Sequence, residues 1–436
     1  MRFRFYLSLI IAKLLYLFLR ITKLSSGTAI IGLITLKICP DFLLFVGNYI
    51  TKFQINVTGT NGKTTTSGMI SKLIACDNKT LITNKHGANM LNGIVNALVL
   101  KINPFKKVEY SVIETDEAFL SKVYSKMKGD FLLVTNLFED QTDRFATPLI
   151  TKDIITKGIS ENPNVQLILN ADDPISATLS SLKKAIYYSV NSVKDENGNY
   201  IDLSSPDYPC PCCGKPLNYS NYFYAHIGHY DCECGYKKQE AKYKADVTLF
   251  KTHSILNLAG EIFEVPLVGL FNAYNALGAI ALAKELGLNN INENLRSFKV
   301  AFGRSEKRIL KGHDAIIQLI KNPAGTNEVL KTVDTNSNIL IAVNNNIADG
   351  TDVSWINQAD FEKLAEASKE IVVTGLCCNQ MAERLVKAGV NNIKIISDIN
   401  KAIKYVGEVS VNNITILTTY TALLKIDKNK EMRKCY

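Results

Sequence analysis

The segment Gly59-Thr60-Asn61-Gly62-Lys63-Thr64-Thr65-Thr66 constrains this chain more than any other feature. Before it, Phe53-Gln54-Ile55-Asn56-Val57-Thr58 reads as a buried strand. After it, Met69, Ile70, Leu73 and Ile74 recur at the spacing of one helix face. A strand that turns through a glycine loop into a helix is the phosphate-cradling layout of open α/β folds. Glycines let backbone N–H groups turn toward phosphate, and the helix N-terminus adds partial positive charge. In that layout Lys63 neutralises the outer phosphates and the Thr64 hydroxyl holds Mg²⁺. Gly59, Thr60, Asn61, Gly62, Lys63, Thr64 and Thr65 are therefore candidate nucleotide-binding residues. The general motif asks for a glycine where Val57 stands, so the signature is the tighter G-T-N-G-K-T-T form. The alternative is a glycine turn that opens a helix and binds nothing.

A chain of 436 residues suggests two or three domains. With 47% hydrophobic and 21% charged residues it is globular, not disordered, collagenous or coiled-coil. No apolar run is long enough for a polytopic membrane protein. The net charge of +9 is uneven: residues 1–40 contain Arg2, Arg4, Lys13, Arg20, Lys23 and Lys37 and no acid. That argues against a basic fold spread over nucleic acid and for a basic N-terminus facing something anionic. From Phe5 to Leu19 the sequence is apolar except for Lys13, and Arg2, Lys13 and Arg20 fall within ~40° on a helix. Such a helix lies in a membrane interface, packs on its own domain, or spans a bilayer.

Ten cysteines in a chain this large do not form a secreted disulfide scaffold, and five of them cluster between Cys210 and Cys234. Cys210 and Cys213 form C-x₂-C followed by Gly214; Cys232 and Cys234 form C-x-C followed by Gly235. Four thiolates at Cys210, Cys213, Cys232 and Cys234 suit a structural Zn²⁺. Cys212, His226 and His229 are alternative ligands. The insert has few apolar residues of its own, so metal supplies its folding energy.

After Arg308, strands at Ile316–Ile320, Ile339–Val343, Ile371–Thr374, Ile393–Ile396 and Ile414–Leu417 alternate with helical patterns. That pattern is an open α/β domain with a largely parallel sheet. The loop 344–355 follows the second strand and holds Asp349, Asp352 and the single Trp355. Cys377 and Cys378 have no nucleophile elbow around them and read as core.

The phosphate loop and the segments after it resemble the Mur ligases and folylpolyglutamate synthases, which activate a carboxylate with ATP and then form an amide. His86-Gly87-Ala88-Asn89-Met90 resembles the family's glycine/asparagine loop. Glu114 ends a strand where the family places a Mg²⁺-binding Glu. Thr135-Asn136 and Asp140-Gln141-Thr142-Asp143-Arg144 resemble the T-N…D-H-x-D-R segment, with Gln141 in place of His. Gly269 to Asn275 resembles G-x-H-N-x-x-N, with Phe271 in place of His; the resemblance implies that Asn275 reaches the adenine. Gly303-Arg304 matches a G-R pair whose Arg approaches the phosphates. The implied fold is a Mur-ligase central ATPase domain (46–300) carrying a zinc-ribbon insert (196–245). A C-terminal open α/β, Rossmann-like domain (301–436) follows it, and a basic amphipathic segment (1–45) precedes it. The implied cofactors are ATP, Mg²⁺ and Zn²⁺.

Together with Lys321-Asn322-Pro323-Ala324-Gly325 and the D-G-x-D-x-S-W loop, the cysteine insert narrows the resemblance to the MurT family, the Mur-ligase-like subunits of lipid II isoglutaminyl synthase. Such a subunit pairs with a GatD-like glutaminase and acts on lipid II, which implies a cytoplasmic chain at the inner face of the membrane. The resemblance implies ATP-dependent amidation of a D-glutamate α-carboxylate by ammonia from the partner. It implies catalytic roles for Lys63, Glu114 and Arg304, and Asp352 as third member of the partner's Cys-His pair. A stand-alone amino-acid-adding ligase and a nucleotide-gated scaffold are the competing functions. Only about 50 residues precede the phosphate loop, too few for a UDP-sugar domain of about 100 residues or more.

Overall fold

Leu132-Leu133-Val134 and Leu167-Ile168-Leu169 are unbroken apolar runs, and strands with such runs are buried on both faces. In the computed structural model they lie in the middle of a nine-stranded sheet. The structure describes residues 2–22, 30–84, 88–139, 147–201, 207–299, 303–411 and 413–434, without the side chains of Arg304, Ser305 and Lys434. His86-Gly87 and the segment from Asp140 to Arg144 lie outside the described residues.

The sheet order is Glu261–Val265, Ser254–Leu258, Tyr243–Leu249, Ala185–Asp195, Gln166–Asn170, Phe131–Val134, Ile50–Thr58, Val108–Glu114, Leu81–Thr83. From Tyr243–Leu249 to Leu81–Thr83 every neighbouring pair is parallel. The two strands beyond Tyr243–Leu249 are antiparallel. Leu132, Val134, Leu167 and Leu169 join one apolar core, while Ile55, Val57, Leu133 and Ile168 join the other. Helices Lys63–Cys76 and Leu270–Glu285 pack in the second core; Met69, Ile70, Leu73 and Ile74 are all buried there, as their spacing predicts. Helices Leu91–Lys101, Leu120–Tyr124 and Pro148–Glu161 pack in the first. They are joined there by the three amino-terminal helices Arg2–Thr22, Ile30–Ile38 and Phe42–Gly47. The carboxyl ends of Ile50–Thr58, Val108–Glu114 and Phe131–Val134 thus meet, and ligand loops of open α/β sheets sit at such ends.

A second sheet of seven strands runs Ile393–Ile395, Ile371–Thr374, Asn338–Ala342, Ile414–Thr418, His313–Leu319, Arg304–Leu310, Met432–Lys434. The first five are parallel and coincide, within a few residues, with the apolar runs read from the sequence. The last two strands run antiparallel to their neighbours and were not anticipated from the sequence; Arg304–Leu310 lies between His313–Leu319 and the edge strand Met432–Lys434. Their reason is electrostatic. Arg308 is buried in strand Arg304–Leu310, with its guanidinium 2.8 Å from Glu306 and 2.6 Å from Asp427. A strand anchored by an internal ion pair shows no apolar run.

Candidate active site

Gly59 and Gly62 both adopt left-handed φ, +122° and +84°. A Cβ at Gly62 would lie 2.0 Å from the Asn275 Oδ1, and one at Gly59 would lie 2.3 Å from the Thr135 Oγ1. Only glycine fits at either place. The loop is braced from the next strand end. Asn136 accepts from the Asn61 N–H at 2.9 Å and donates to its carbonyl at 3.2 Å, while the Thr135 hydroxyl donates to the same carbonyl at 2.6 Å. Thr60 accepts through its hydroxyl from the Phe138 N–H at 3.0 Å. Thr135-Asn136 therefore holds the loop in shape, and Thr65 is buried in the first turn of the helix that follows.

Lys63 does not reach outward. Its ammonium lies 2.9 Å from the Glu117 carboxylate and also donates to the Gly59 carbonyl. Glu117 accepts from the Gly59 N–H at 3.1 Å as well. Burial raises the pKa of the Glu117 carboxyl, with the Lys63 ammonium pulling against it. The sequence reading passed over Glu117, three residues after Glu114; the E-x-x-E spacing beyond a strand end is the signal that was available. Glu114 is buried, with one carboxylate oxygen accepting from the Asn89 amide at 3.1 Å. Its other oxygen, Oε2, has no hydrogen-bond partner among the described residues, and neither has the buried Thr64 Oγ1. A buried polar atom left unpaired costs about 1–3 kcal/mol, and more if charged. These two orphans belong to the two residues expected to hold Mg²⁺, so the donor set fits a hard, oxygen-loving dication. Asn89, a candidate nucleotide residue, here orients Glu114.

The C-terminal domain reaches the same loop. Asn322 and Asn61 exchange amide hydrogen bonds of 3.1 and 3.3 Å, and Lys321 donates to the Thr60 carbonyl at 3.2 Å. Asn275 sits buried between Gly62 and Asn272. Gly303 is described, whereas the Arg304 side chain is not. Lys321 and Asn322 were noted in the sequence as a loop, and the structure brings them to the phosphate loop.

Asp352 lies apart, exposed in the loop after Asn338–Ala342. Its carboxylate accepts from the Ser354 N–H at 2.7 Å and hydroxyl at 2.8 Å. Asp349, by contrast, is buried and accepts from the Thr421 N–H at 2.7 Å and the Asn346 N–H at 3.2 Å. Asn344 and Asn346 both donate to the Thr421 hydroxyl. The loop is thereby fastened to the start of helix Tyr420–Asp427, and Asp352 is presented from a fixed base. Burial raises the Tyr420 phenol pKa, and the nearby Asp349 and Glu114 carboxylates add to it. Tyr420 thus lies within electrostatic reach of both the loop and the phosphate site.

Cys210, Cys213, Cys232 and Cys234 bring their sulfurs within 4.8 Å of one another. The Cys210–Cys234 and Cys213–Cys232 separations are 3.8 and 3.5 Å. Tetrahedral zinc with Zn–S bonds of ~2.3 Å spaces its sulfurs by about 3.75 Å. The Cys212 N–H donates to the Cys210 sulfur, and the Gly214 and Gly235 N–H groups close turns on Cys210 and Cys232. The Tyr236 amide and Cys232 hold the Cys234 thiol down at about 7. The two histidines are engaged elsewhere: His226 with Asp173 at 3.2 Å, His229 with the Val190 carbonyl at 2.8 Å. They are not ligands in this arrangement. The hairpin Asn218–Tyr224 and Ile227–Asp231 between the two cysteine pairs is tied to the central sheet through Asp172 and Asp173. His226 meets Asp173, the Gly228 N–H donates to the Asp172 carbonyl at 2.9 Å, and the Asp172 carboxylate accepts from Ser189 and Val190 of the sheet at 2.7–2.8 Å. The four thiols fit zinc. Purified protein is expected to carry about one zinc per chain. Cys213→Ser should release it and lower the melting temperature, whereas Cys212→Ser should retain it. Metal analysis that finds no zinc in folded protein contradicts the assignment.

Residues 319–423 match the family model described as MurT ligase C-terminal, and residues 57–208 match that of the Mur ligase middle domain. The lipid II isoglutaminyl synthase (glutamine-hydrolyzing) subunit MurT of Staphylococcus aureus (strain COL) is 36% identical over 87% of this chain and 87% of its own. That of Streptococcus pneumoniae (strain ATCC BAA-255 / R6) is 30% identical over 93% and 92%. Among solved structures, the pseudomurein peptide ligase type C from Methanothermus fervidus superposes with a TM-score of 0.67 at 23% identity, covering 86% of this chain and 77% of that one. MurF ligase from Thermotoga maritima in complex with ADP gives 0.62 at 13%, covering 89% and 81%. The structural matches establish a Mur-ligase α/β fold, and by the 30–36% identity to MurT subunits over most of its length the chain belongs to the MurT family.

Proposed function

We propose that this chain is the ligase subunit of a lipid II isoglutaminyl synthase in peptidoglycan synthesis. It transfers the γ-phosphoryl group of ATP to the D-glutamate α-carboxylate of the stem peptide. Ammonia from a GatD-like glutaminase partner then displaces phosphate and leaves D-isoglutamine. Membership of the MurT family supports the overall reaction. The observation that carries the catalytic reading is that the buried oxygens Thr64 Oγ1 and Glu114 Oε2 have no hydrogen-bond partner among the described residues.

Each residue has a physical task in this reading. A carboxylate is a poor acyl donor until one oxygen becomes part of a leaving group, which is what phosphorylation achieves. Loop N–H groups from Gly59 to Thr65 cradle the phosphates, and Lys63 turns from Glu117 to the transferring phosphoryl group. Thr64 and Glu114 would hold Mg²⁺, which would supply positive charge to that group. Asn89 keeps Glu114 oriented, Asn275 faces the nucleotide, and Arg304 adds charge from the C-terminal domain. Lys321 and Asn322, already on the loop, couple its state to that domain. The zinc hairpin is structural: its four thiols leave no open ligand position.

Asp352 serves the partner. Its exposed carboxylate, held by the Ser354 N–H and hydroxyl, is presented from the loop after Asn338–Ala342. A third carboxylate beside a Cys-His pair holds the imidazole in its working tautomer. The substrate is a lipid, so the chain works at the cytoplasmic face of the membrane. Incubating chain, partner, lipid II, ATP and glutamine should yield an amidated stem. A stem lengthened by an amino acid, made without the partner, would support the stand-alone ligase instead.

A further inference from the structure

Helix Arg2–Thr22 has two faces. Phe5, Ser8, Leu9 and Ala12 are buried in the core beneath it, where Phe5 stacks on Phe42 at 5.5 Å. Tyr6, Ile10, Leu14, Leu17, Phe18 and Ile21 are exposed, Ile21 to 71%. At 100° per residue these exposed side chains span an arc of about 120°, centred roughly opposite the buried face. Exposed cations border the arc on both sides: Arg2, Lys13 and Arg20 along one edge, Arg4 beyond the other, all within about 40° of an edge. Leu33, on the helix packed beside this one, is exposed too.

We propose that this outward arc docks on the anionic surface of a lipid bilayer, with the helix lying in the interface. An apolar face flanked by Lys and Arg suits that position, because the acyl boundary takes the apolar side chains while the cations meet the headgroup phosphates. Charge selects this occupant over a second copy of the chain. The first 40 residues carry six cations and no acid, so two such faces repel each other and an anionic surface attracts them. The packing selects lying over spanning. Lys13 donates to the Ile102 carbonyl at 3.0 Å, and withdrawing the helix would expose Phe5, Leu9 and Ala12. The proposal deepens the membrane-facing part of the ligase reading, yet vesicle binding needs no catalysis, so either can fail alone.

The test is co-sedimentation of the full chain with phosphatidylcholine vesicles, with and without about 30% phosphatidylglycerol. The chain is expected to pellet with the anionic vesicles and to be partly released by salt. The combined variant Ile10→Glu, Leu14→Glu, Leu17→Glu alters only exposed positions and should weaken that binding by at least about tenfold. Its zinc content, melting temperature and amidation of detergent-solubilised lipid II should be unchanged. Wild-type chain that stays in the supernatant, or a variant that binds equally well, overturns the proposal. A wild-type dimer that the variant makes monomeric, without vesicle binding, would assign the face to a second copy. Resistance to alkaline carbonate extraction would assign a spanning helix.

Discussion

Lys63→Ala is expected to lower ATP-dependent amidation at least about a hundredfold, the scale of removing one preorganised charge from a transition state. The transferring phosphoryl group carries its charge on oxygens that the loop amides alone do not neutralise. In the structure the Lys63 ammonium is stored 2.9 Å from Glu117, beneath the loop that would receive the phosphates. The same contact creates a control problem, because alanine leaves the buried Glu117 without its cation. The double variant Lys63→Ala, Glu117→Gln removes that complication: the buried neutral amide needs no counter-ion, so folding should recover while activity does not. Amidation rates, with zinc content and melting temperature as checks on folding, separate the two effects. Amidation retained at near wild-type rate in a folded Lys63→Ala protein would remove Lys63 from the chemistry.

Asp352→Asn is expected to separate the two half-reactions. The amide keeps the loop geometry, since its oxygen still accepts from the Ser354 N–H as the carboxylate does at 2.7 Å. It lacks the negative charge that stabilises an imidazolium, and losing that charge from a triad costs roughly 10⁴-fold. Glutamine hydrolysis by the complex should therefore collapse. Amidation driven by ammonium at raised pH should persist, because Asp352 is held by Ser354 in the exposed loop after Asn338–Ala342, whereas Lys63, Thr64 and Glu114 belong to the glycine loop and the strand end beside it. If ammonium-driven amidation fell as far as the glutamine-driven rate, with the complex still assembled, Asp352 would belong to the phosphate site.

The parts legible in the sequence were those whose chemistry is local. The glycine loop, the buried parallel strands and the spacing from Cys210 to Cys234 each follow from a short stretch of chain, and the structure has them where the pattern implies. What the sequence hid depends on long-range contacts. Glu117 matters because it receives Lys63, 54 positions away, and Asn322 because it pairs with Asn61, 261 positions away. His226 and His229 stood beside the cysteines as possible ligands; only the fold shows them turned to Asp173 and Val190. Strand Arg304–Leu310 was invisible because one of its buried residues, Arg308, is charged. The outward arc of Arg2–Thr22 combined two readings held apart in the sequence, since the helix both packs on its domain and leaves an apolar face outside.

The central claim is that the stem carboxylate becomes an acyl phosphate, and the fate of its oxygen tests this most directly. Lipid II carrying ¹⁸O in the D-glutamate α-carboxylate is incubated with the complex, ATP and glutamine, and the released phosphate is analysed by mass spectrometry. Phosphoryl transfer to the carboxylate requires one ¹⁸O to leave in inorganic phosphate for each amide formed. Amide formed with unlabelled phosphate would contradict the acyl-phosphate route and, with it, the role assigned to Lys63, Thr64 and Glu114.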